Sequence, residues 1–158
     1  MTEPEAPGDV PGVIALPPLI YAVAIVAAFA LQLWVPLVPP VQTPMRWVAG
    51  VVVVAAISVS VAGRGAFERA GTNVNPMQPA KKLVASGIYR FTRNPMYVGM
   101  AIACTALAFA TRNGWLLIAL VPVQALMHWG VILREERYLA RKFGSEYAEY
   151  RRSVRRYL

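Results

Sequence analysis

The chain has 158 residues, enough for one domain and little more. Its hydrophobic fraction is 57% and its charged fraction is 15%, whereas soluble domains are typically about 45–50% apolar and about 25% charged. The net charge is +8. This composition excludes an ordinary soluble domain and indicates a membrane protein with a basic surface.

Residues 1–12 contain three acidic residues, three prolines and no basic residue. That charge is wrong for the start of a signal peptide, and the composition predicts a disordered N-terminal tail. We expect residues 13–62 to form two N-terminal transmembrane helices. Residues 63–158 are expected to form the functional core, made of a loop, a helical hairpin and C-terminal helices.

Four apolar runs dominate the rest of the chain. A membrane-spanning helix needs about 20 residues, with a range of roughly 17–25. The first and fourth runs meet this length, the second meets it with its flanks, and the third is short. The sequence therefore predicts an all-α integral membrane bundle of four transmembrane helices with a cytoplasmic C-terminal helical extension. The runs cover about residues 13–38, 47–62, 97–110 and 115–133.

Prolines set the predicted ends of the first helix, which covers about residues 18–35. A polar loop with several asparagines and prolines is predicted over residues 63–86, and loops of this length are often functional. After the loop, Asn94 is predicted to be the N-cap of a third helix that begins at Pro95.

Residues 113–114 (Asn-Gly) predict a tight turn that makes helices three and four an antiparallel hairpin. Pro122 is expected to kink helix four. That helix should then leave the membrane and break at Gly144. A last short helix is predicted over residues 146–156, with Tyr150 as an interfacial anchor.

Positive charge is concentrated on one side of the predicted bundle. Of the 16 basic residues, 14 lie either between the second and third runs or after the fourth run. The positive-inside rule makes that side cytoplasmic, together with both termini. Nucleic-acid binding is the other usual interpretation of a basic tail, but attraction to anionic lipid explains the same residues.

The chain has one cysteine, Cys104, and one histidine, His128. Cys104 lies in the middle of the third apolar run and is expected to be a small core residue. One histidine and one cysteine provide too few ligands for a typical metal site, so no metal is expected.

The most informative stretch is basic and lies at the start of the third run. Residues 87–99 read Gly-Ile-Tyr-Arg-Phe-Thr-Arg-Asn-Pro-Met-Tyr-Val-Gly, and residues 134–137 read Arg-Glu-Glu-Arg. Ionisable residues near apolar helices are costly and are often functional. The order and spacing of these motifs over residues 63–158 resemble the isoprenylcysteine carboxyl methyltransferase and phospholipid N-methyltransferase superfamily.

The resemblance implies an S-adenosylmethionine-dependent methyltransferase whose cofactor pocket is built by the last helices and their cytoplasmic extensions. The acceptor would be a lipophilic or amphipathic molecule with an amine, carboxylate or thiol. Prenylcysteine enzymes typically have histidine at the position of Asn94, so this chain is closer to bacterial and phospholipid-type members.

The chemistry of the cofactor suggests roles for the motif residues. Its carboxylate suits Arg93 near a helix N-terminus, its ammonium suits one of two adjacent glutamates, and its sulfonium suits aromatic faces. His128 lies seven residues before the first glutamate, on the same face of a regular helix. The candidate catalytic residues are Arg93 and Tyr97, and the candidate cofactor-binding residues are Gly87, Tyr89, Arg93, Asn94, Tyr97, Gly99, His128, Glu135 and Glu136.

Plainer interpretations exist for the same residues. Arg93 also fits a lipid-phosphate anchor, and the glutamates also fit a salt-bridged helix face. Two other functions compete with methyl transfer: an NADPH-dependent membrane reductase of the sterol-reductase type, and a non-enzymatic membrane scaffold. The short chain and the Glu-Glu pair favour the methyltransferase. We further expect a lateral opening to the membrane near Met96, Met100 and Met127.

Overall fold

The computed structural model describes residues 9–158, and within that range every regular element is helical. A 3₁₀ turn over Gly87–Arg90 precedes the third helix, and a π-helical segment over Met127–Ile132 joins the fourth helix to the fifth. The predicted all-α class is confirmed. The helices are α1 (Pro17–Trp34), α2 (Thr43–Ala70), α3 (Pro95–Thr111), α4 (Gly114–Leu126) and α5 (Leu133–Ser153).

Three helical stretches are long and apolar enough to cross a membrane, namely α1, α2 and the continuous rod Gly114–Ser153. The fourth apolar helix, α3, is shorter at 17 residues, as its sequence predicted. Large apolar side chains face outward on these helices, with Val51 of α2 and Val121 of α4 exposed by 70% and 74%. An apolar outer surface of this kind is typical of helices that face lipid. Charged residues in the rod begin at Arg134, so α5 lies beyond the apolar part.

Helices α2 and α3 approach closely because small residues line their contact. A Cβ added to Gly99 of α3 would lie 2.7 Å from the Ala56 carbonyl oxygen. The Ser60 hydroxyl of α2 donates to the Met96 carbonyl oxygen of α3 at 3.2 Å. Small residues and interhelical hydrogen bonds are the usual means of close helix packing in membranes.

The predicted loop over residues 63–86 is wrong in its first part, because α2 continues to Ala70. An ion pair between Arg64 and Glu68, 2.8 Å apart at i,i+4 spacing, supports the extra turns. Gly71 then ends the helix with a left-handed φ of 68°. The predicted division at residues 62–63 therefore falls inside one helix.

Other predicted boundaries agree closely with the structure. The first helix begins and ends one residue earlier than expected. The Asn113 side chain caps α4 by accepting from the Leu116 N–H at 3.1 Å. Pro122 lies inside α4 without ending it, and the irregular backbone comes later, in the π-helical segment. Gly144, with φ 50° and ψ −119°, breaks α5 as predicted.

Asn94 stands at the N-cap position of α3, but its side chain makes no capping bond. Its amide donates instead to the Arg156 carbonyl oxygen at 3.0 Å. The C-terminal segment therefore replaces the helix end as the partner of this side chain.

Two buried clusters organise the bundle. One joins α1, α3 and the rod, and it includes Cys104 as the sequence suggested. The other lies at the polar end of the bundle and contains Tyr89, Tyr147 and Tyr150. The anchor role predicted for Tyr150 is wrong: it is 8% exposed, and its hydroxyl donates to the Tyr89 carbonyl oxygen at 2.7 Å.

The predicted disorder of residues 1–12 falls mostly on residues 1–8, which lie outside the described part of the chain. Residues 9–12 depart from the prediction. Asp9 forms an ion pair with Lys142, and the Gly12 carbonyl oxygen accepts from Arg134 at 2.8 Å.

Candidate active site

A cavity lies at the polar end of the bundle, enclosed by the end of α2, the loop that follows it, the start of α3 and the first turns of α5. Its walls combine polar, charged and aromatic side chains. The lining residues include Pro11, Asn73, Asn75, Gln78, Ala80, Tyr89, Arg93, Asn94, Met96, Tyr97, Glu135, Glu136, Tyr138, Tyr147 and Tyr150.

Glu136 is held between two arginines. Its Oε1 lies 3.0 Å from a terminal nitrogen of Arg93, and Arg156 donates two bonds to the two carboxylate oxygens at 2.9 and 2.8 Å. The side chains of Arg93 and Glu136 are only 8% and 11% exposed. The hydrogen bonds to Glu136 raise the pKa of the Arg156 guanidinium. A carboxylate with two guanidinium partners is already neutralised, so Glu136 stabilises the wall of the cavity.

Arg93 is fixed from several directions at the entrance to α3. Its backbone N–H donates to the Arg155 carbonyl oxygen at 2.9 Å, and its guanidinium donates to the Tyr147 hydroxyl at 3.2 Å. Its Nε is buried and has no hydrogen-bond partner among the described residues. A buried donor without a partner is costly, so Arg93 keeps one unpaired N–H in the wall of the cavity.

Glu135 differs from Glu136 in its surroundings. It accepts a hydrogen bond from the Tyr97 hydroxyl at 2.7 Å and makes no salt bridge within residues 9–158. Burial raises the pKa of its carboxyl to about 7. Only one glutamate was expected to face the cavity, whereas both line it. They differ in partners, and Glu135 is the carboxylate without a cation.

Tyr89 also lines the cavity, with its ring edge against Phe67 at 5.3 Å between centroids. Its hydroxyl is buried and has no partner among the described residues, and burial raises its pKa. The phenol is therefore neutral and presents an aromatic ring to the cavity.

Two predicted site glycines do not line the cavity. Gly87 begins the 3₁₀ turn with a positive φ of 62°, and Gly99 packs α3 against α2. Their roles in the structure are to direct the backbone and to allow close helix contact.

His128 lies apart from the cavity, in a second groove between α3 and the α4 end of the rod. Its Nδ1 is 2.6 Å from the Tyr157 hydroxyl. The i,i+7 spacing predicts a position beside Glu135 on a regular helix, but the π-helical segment intervenes. A π turn has more residues than an α turn, so the faces before and after it are rotated relative to each other.

Tyr97 contributes to the wall of both spaces. On one side its hydroxyl contacts Glu135, and on the other its side chain borders the apolar groove. Met127 lines that groove, whereas Met96 lines the cavity and Met100 packs against the bundle core. The groove is lined by Tyr97, Val98, Ala101, Ile102, Gln124, Ala125, Met127, His128, Trp129, Ile132, Tyr157 and Leu158.

The family model described as phospholipid methyltransferase matches residues 44–146, about two thirds of the chain. The chain belongs to the phospholipid methyltransferase family. This confirms the superfamily suggested by the motifs, and it assigns the protein to the membrane methyltransferases. No curated protein and no solved structure matches the chain.

In this methyltransferase, the matched region supplies most of the cavity but not all of it. Of the lining residues, Tyr147 and Tyr150 follow the match and Pro11 precedes it, and Arg156, which pairs with the lining residue Glu136, also follows it. Sequence reasoning missed Arg156 because its role depends on the reversal of the chain at Gly144. The sequence signal for this part of the site was the spacing of Tyr147 and Tyr150. It indicated that the two side chains share a helix face, but it did not identify what that face contacts.

The part of the methyltransferase that the structure describes contains no group of three histidine, cysteine, aspartate or glutamate side chains able to hold a metal ion.

Proposed function

We propose that the protein transfers a methyl group from S-adenosylmethionine to a lipophilic or amphipathic acceptor. The observation that carries the proposal is that Tyr97 borders two spaces of different chemistry, a cavity with charged side chains and an apolar groove. On its cavity side lie Glu135, a carboxylate without a cation, and Arg93, a guanidinium with an unbonded Nε. On its other side lies the apolar groove.

The charged groups suit the amino-acid part of the cofactor. Glu135 would accept hydrogen bonds from the ammonium, and the Arg93 guanidinium would donate to the carboxylate. The ring of Tyr89 and the neighbouring Tyr97 offer aromatic faces for the sulfonium. Asn94 holds the C-terminal segment in place and is thus a supporting residue of the wall.

When bound, the cofactor supplies a methyl carbon that is attacked in line as its bond to sulfur breaks. The protein's contribution is to align this carbon with the acceptor's nucleophile and to exclude water. Tyr97 is placed to help with both, because its side chain borders the cavity and the groove, where the methyl carbon and the nucleophile would meet. The Tyr97 hydroxyl donates to Glu135, which fixes the ring between the two spaces.

The groove provides the acceptor with an apolar binding surface. Its polar side chains are the His128–Tyr157 pair, Gln124, Tyr97 and Trp129. A lipid acceptor would lay its apolar part against α3 and α4 and present its headgroup at Tyr97. The family match is consistent with a lipid acceptor, and the methylated atom is an amine nitrogen, a carboxylate oxygen or a thiol sulfur.

We place the cofactor cavity on the cytoplasmic side of the cell membrane, since 14 of the 16 basic residues lie on that side of the bundle. Asn75 lies in the loop after α2 and lines the cavity. In an Asn75→Cys, Cys104→Ala variant, an impermeant thiol reagent should label inverted vesicles and spare intact cells. Labelling of intact cells would overturn the orientation.

Calorimetry with purified protein in detergent tests the cofactor directly. S-adenosylhomocysteine should bind with measurable heat, and NADPH under the same conditions should not. Binding of NADPH alone would support a reductase, and binding of neither would favour a scaffold; both results would refute the proposal.

A further inference from the structure

Residues 9–14 cross the cavity side of α5 before α1 begins. They lie outside the region that matches the family, residues 44–146. Pro11 from this segment lines the same cavity as Arg93 and Glu135. The segment is therefore part of the cofactor cavity, although the family match does not include it.

One stripe of α5 holds the segment. Arg134, Tyr138 and Lys142 are spaced four residues apart, so they project from the same helix face. Arg134 donates to the Gly12 carbonyl oxygen at 2.8 Å, and the Tyr138 hydroxyl donates to the Asp9 carbonyl oxygen at 3.3 Å. Lys142 pairs with the Asp9 carboxylate and holds the pKa of that carboxyl below its usual value.

The other end of the segment is seated on the π-helical stretch. The Ile14 N–H donates to the Gly130 carbonyl oxygen at 3.2 Å. A Cβ added to Gly130 would lie 2.8 Å from the Ile14 Cγ1, so the absence of a side chain makes room for Ile14. Gly12 turns the chain between the two attachments with a φ of 65°, a conformation that favours glycine.

Tyr138 connects this segment to the opposite wall. Besides donating to Asp9, its hydroxyl accepts from the Ala80 N–H at 2.9 Å. Ala80 belongs to the loop after α2, which lines the cavity through Asn73 and Gln78 as well. A single hydroxyl therefore ties together the two chain segments that cover the cavity.

We propose that residues 9–14 form a strap that closes this side of the cavity and slows the release of the bound cofactor. The identity of the ligand rests on the proposed function, whereas the attachment of the strap rests on its contacts with α5 and Gly130. Because the strap covers a cavity that is already formed, the cofactor must pass it on entry and on exit, so loosening the strap should speed dissociation and association together.

Charge reversal at the Asp9–Lys142 pair tests the strap in the full-length protein, since neither residue lines the cavity. Asp9→Lys and Lys142→Asp each replace attraction with repulsion. The dissociation rate of tritiated S-adenosylmethionine, chased with excess S-adenosylhomocysteine, should rise roughly twofold to fivefold in each, the upper part of the range expected for a partly exposed ion pair. The double variant D9K/K142D restores the pair and should return the rate to within about twofold of wild type.

Arg141→Asp is the matched control, because it makes the same charge change at an exposed neighbour on α5. It should leave the dissociation rate unchanged. Equal rates in wild type and both single variants, or no restoration in the double variant, would overturn the strap.

A second readout separates the strap from the proposed function. In a Val10→Cys, Cys104→Ala background, the K142D change should speed labelling by a water-soluble maleimide, and adding D9K should slow it again. If wild type binds no S-adenosylmethionine, the proposed function fails while this labelling still tests the strap. Unchanged labelling in K142D would refute the attachment itself.

Discussion

Replacing Glu135 by glutamine removes one negative charge from the cavity and preserves its shape. The amide oxygen of glutamine still accepts a hydrogen bond from the Tyr97 hydroxyl, which lies 2.7 Å from the carboxylate in the wild-type structure. The variant therefore isolates the charge. Glu135 has no cation partner among the described residues. Loss of its negative charge therefore leaves no arginine there unpaired.

A hydrogen bond to a charged group contributes about 1.5–3 kcal/mol, which corresponds to roughly tenfold to over a hundredfold in Kd. Calorimetry should therefore show that Glu135→Gln weakens S-adenosylhomocysteine binding by that factor. Glu149→Gln makes the same charge change at an exposed position of α5 and should leave the affinity unchanged.

The pKa of Glu135 adds a pH dependence with a defined sign. Burial raises this pKa to about 7, and a bound ammonium would lower it, so binding should strengthen as pH rises towards and past 7. A carboxyl with that pKa changes from mostly protonated at pH 6 to mostly ionised at pH 7.5, which predicts a severalfold gain in affinity. In Glu135→Gln the gain should disappear. An equal pH dependence and equal affinity in wild type and variant would refute the assignment of Glu135 to the ammonium.

Three further predictions follow from the packing of the bundle. Glu136→Ala leaves two guanidinium groups without their shared carboxylate and should destabilise the protein by about 3–5 kcal/mol, measured as a lower Tm in detergent. Gly99→Ala should cost about 1–3 kcal/mol through overpacking of α2 against α3, whereas Gly50→Ala, where a Cβ meets nothing within 4 Å, should not lower the Tm. Ala125→Trp fills the groove and should raise KM for a long-chain acceptor without changing S-adenosylhomocysteine affinity, whereas Ala27→Trp on the exposed face of α1 should change neither.

Local sequence signals were sufficient for most helix ends. Proline at the start of α1 and α3, the Asn113 cap and Gly144 each act within a few residues, so their effect does not depend on the rest of the fold. The long apolar runs similarly required helices, since lipid cannot satisfy the polar groups of an open strand. The motif residues Tyr89, Arg93, Asn94 and Tyr97 all line one cavity, and they are also close neighbours along the chain.

The remaining features depend on contacts between distant segments. The extension of α2 to Ala70 rests partly on packing of Ala66 against the tyrosine cluster of the last helix. His128 is rotated away from Glu135 by a π-helical segment. We recognised no residue pattern in the sequence that predicts this segment. Arg156 reaches Glu136 only because the chain reverses at Gly144. Periodicity alone does not contain this information.

Transfer of label from S-adenosyl-[methyl-³H]methionine into the lipid fraction tests the central claim most directly. Membranes containing the wild-type protein should accumulate tritium in material that partitions into organic solvent. Glu135→Gln should slow this transfer at subsaturating cofactor, and Glu149→Gln should not. No incorporation above membranes without the protein, or the same incorporation in wild type and Glu135→Gln, would contradict a cofactor site built around Glu135 and Tyr97.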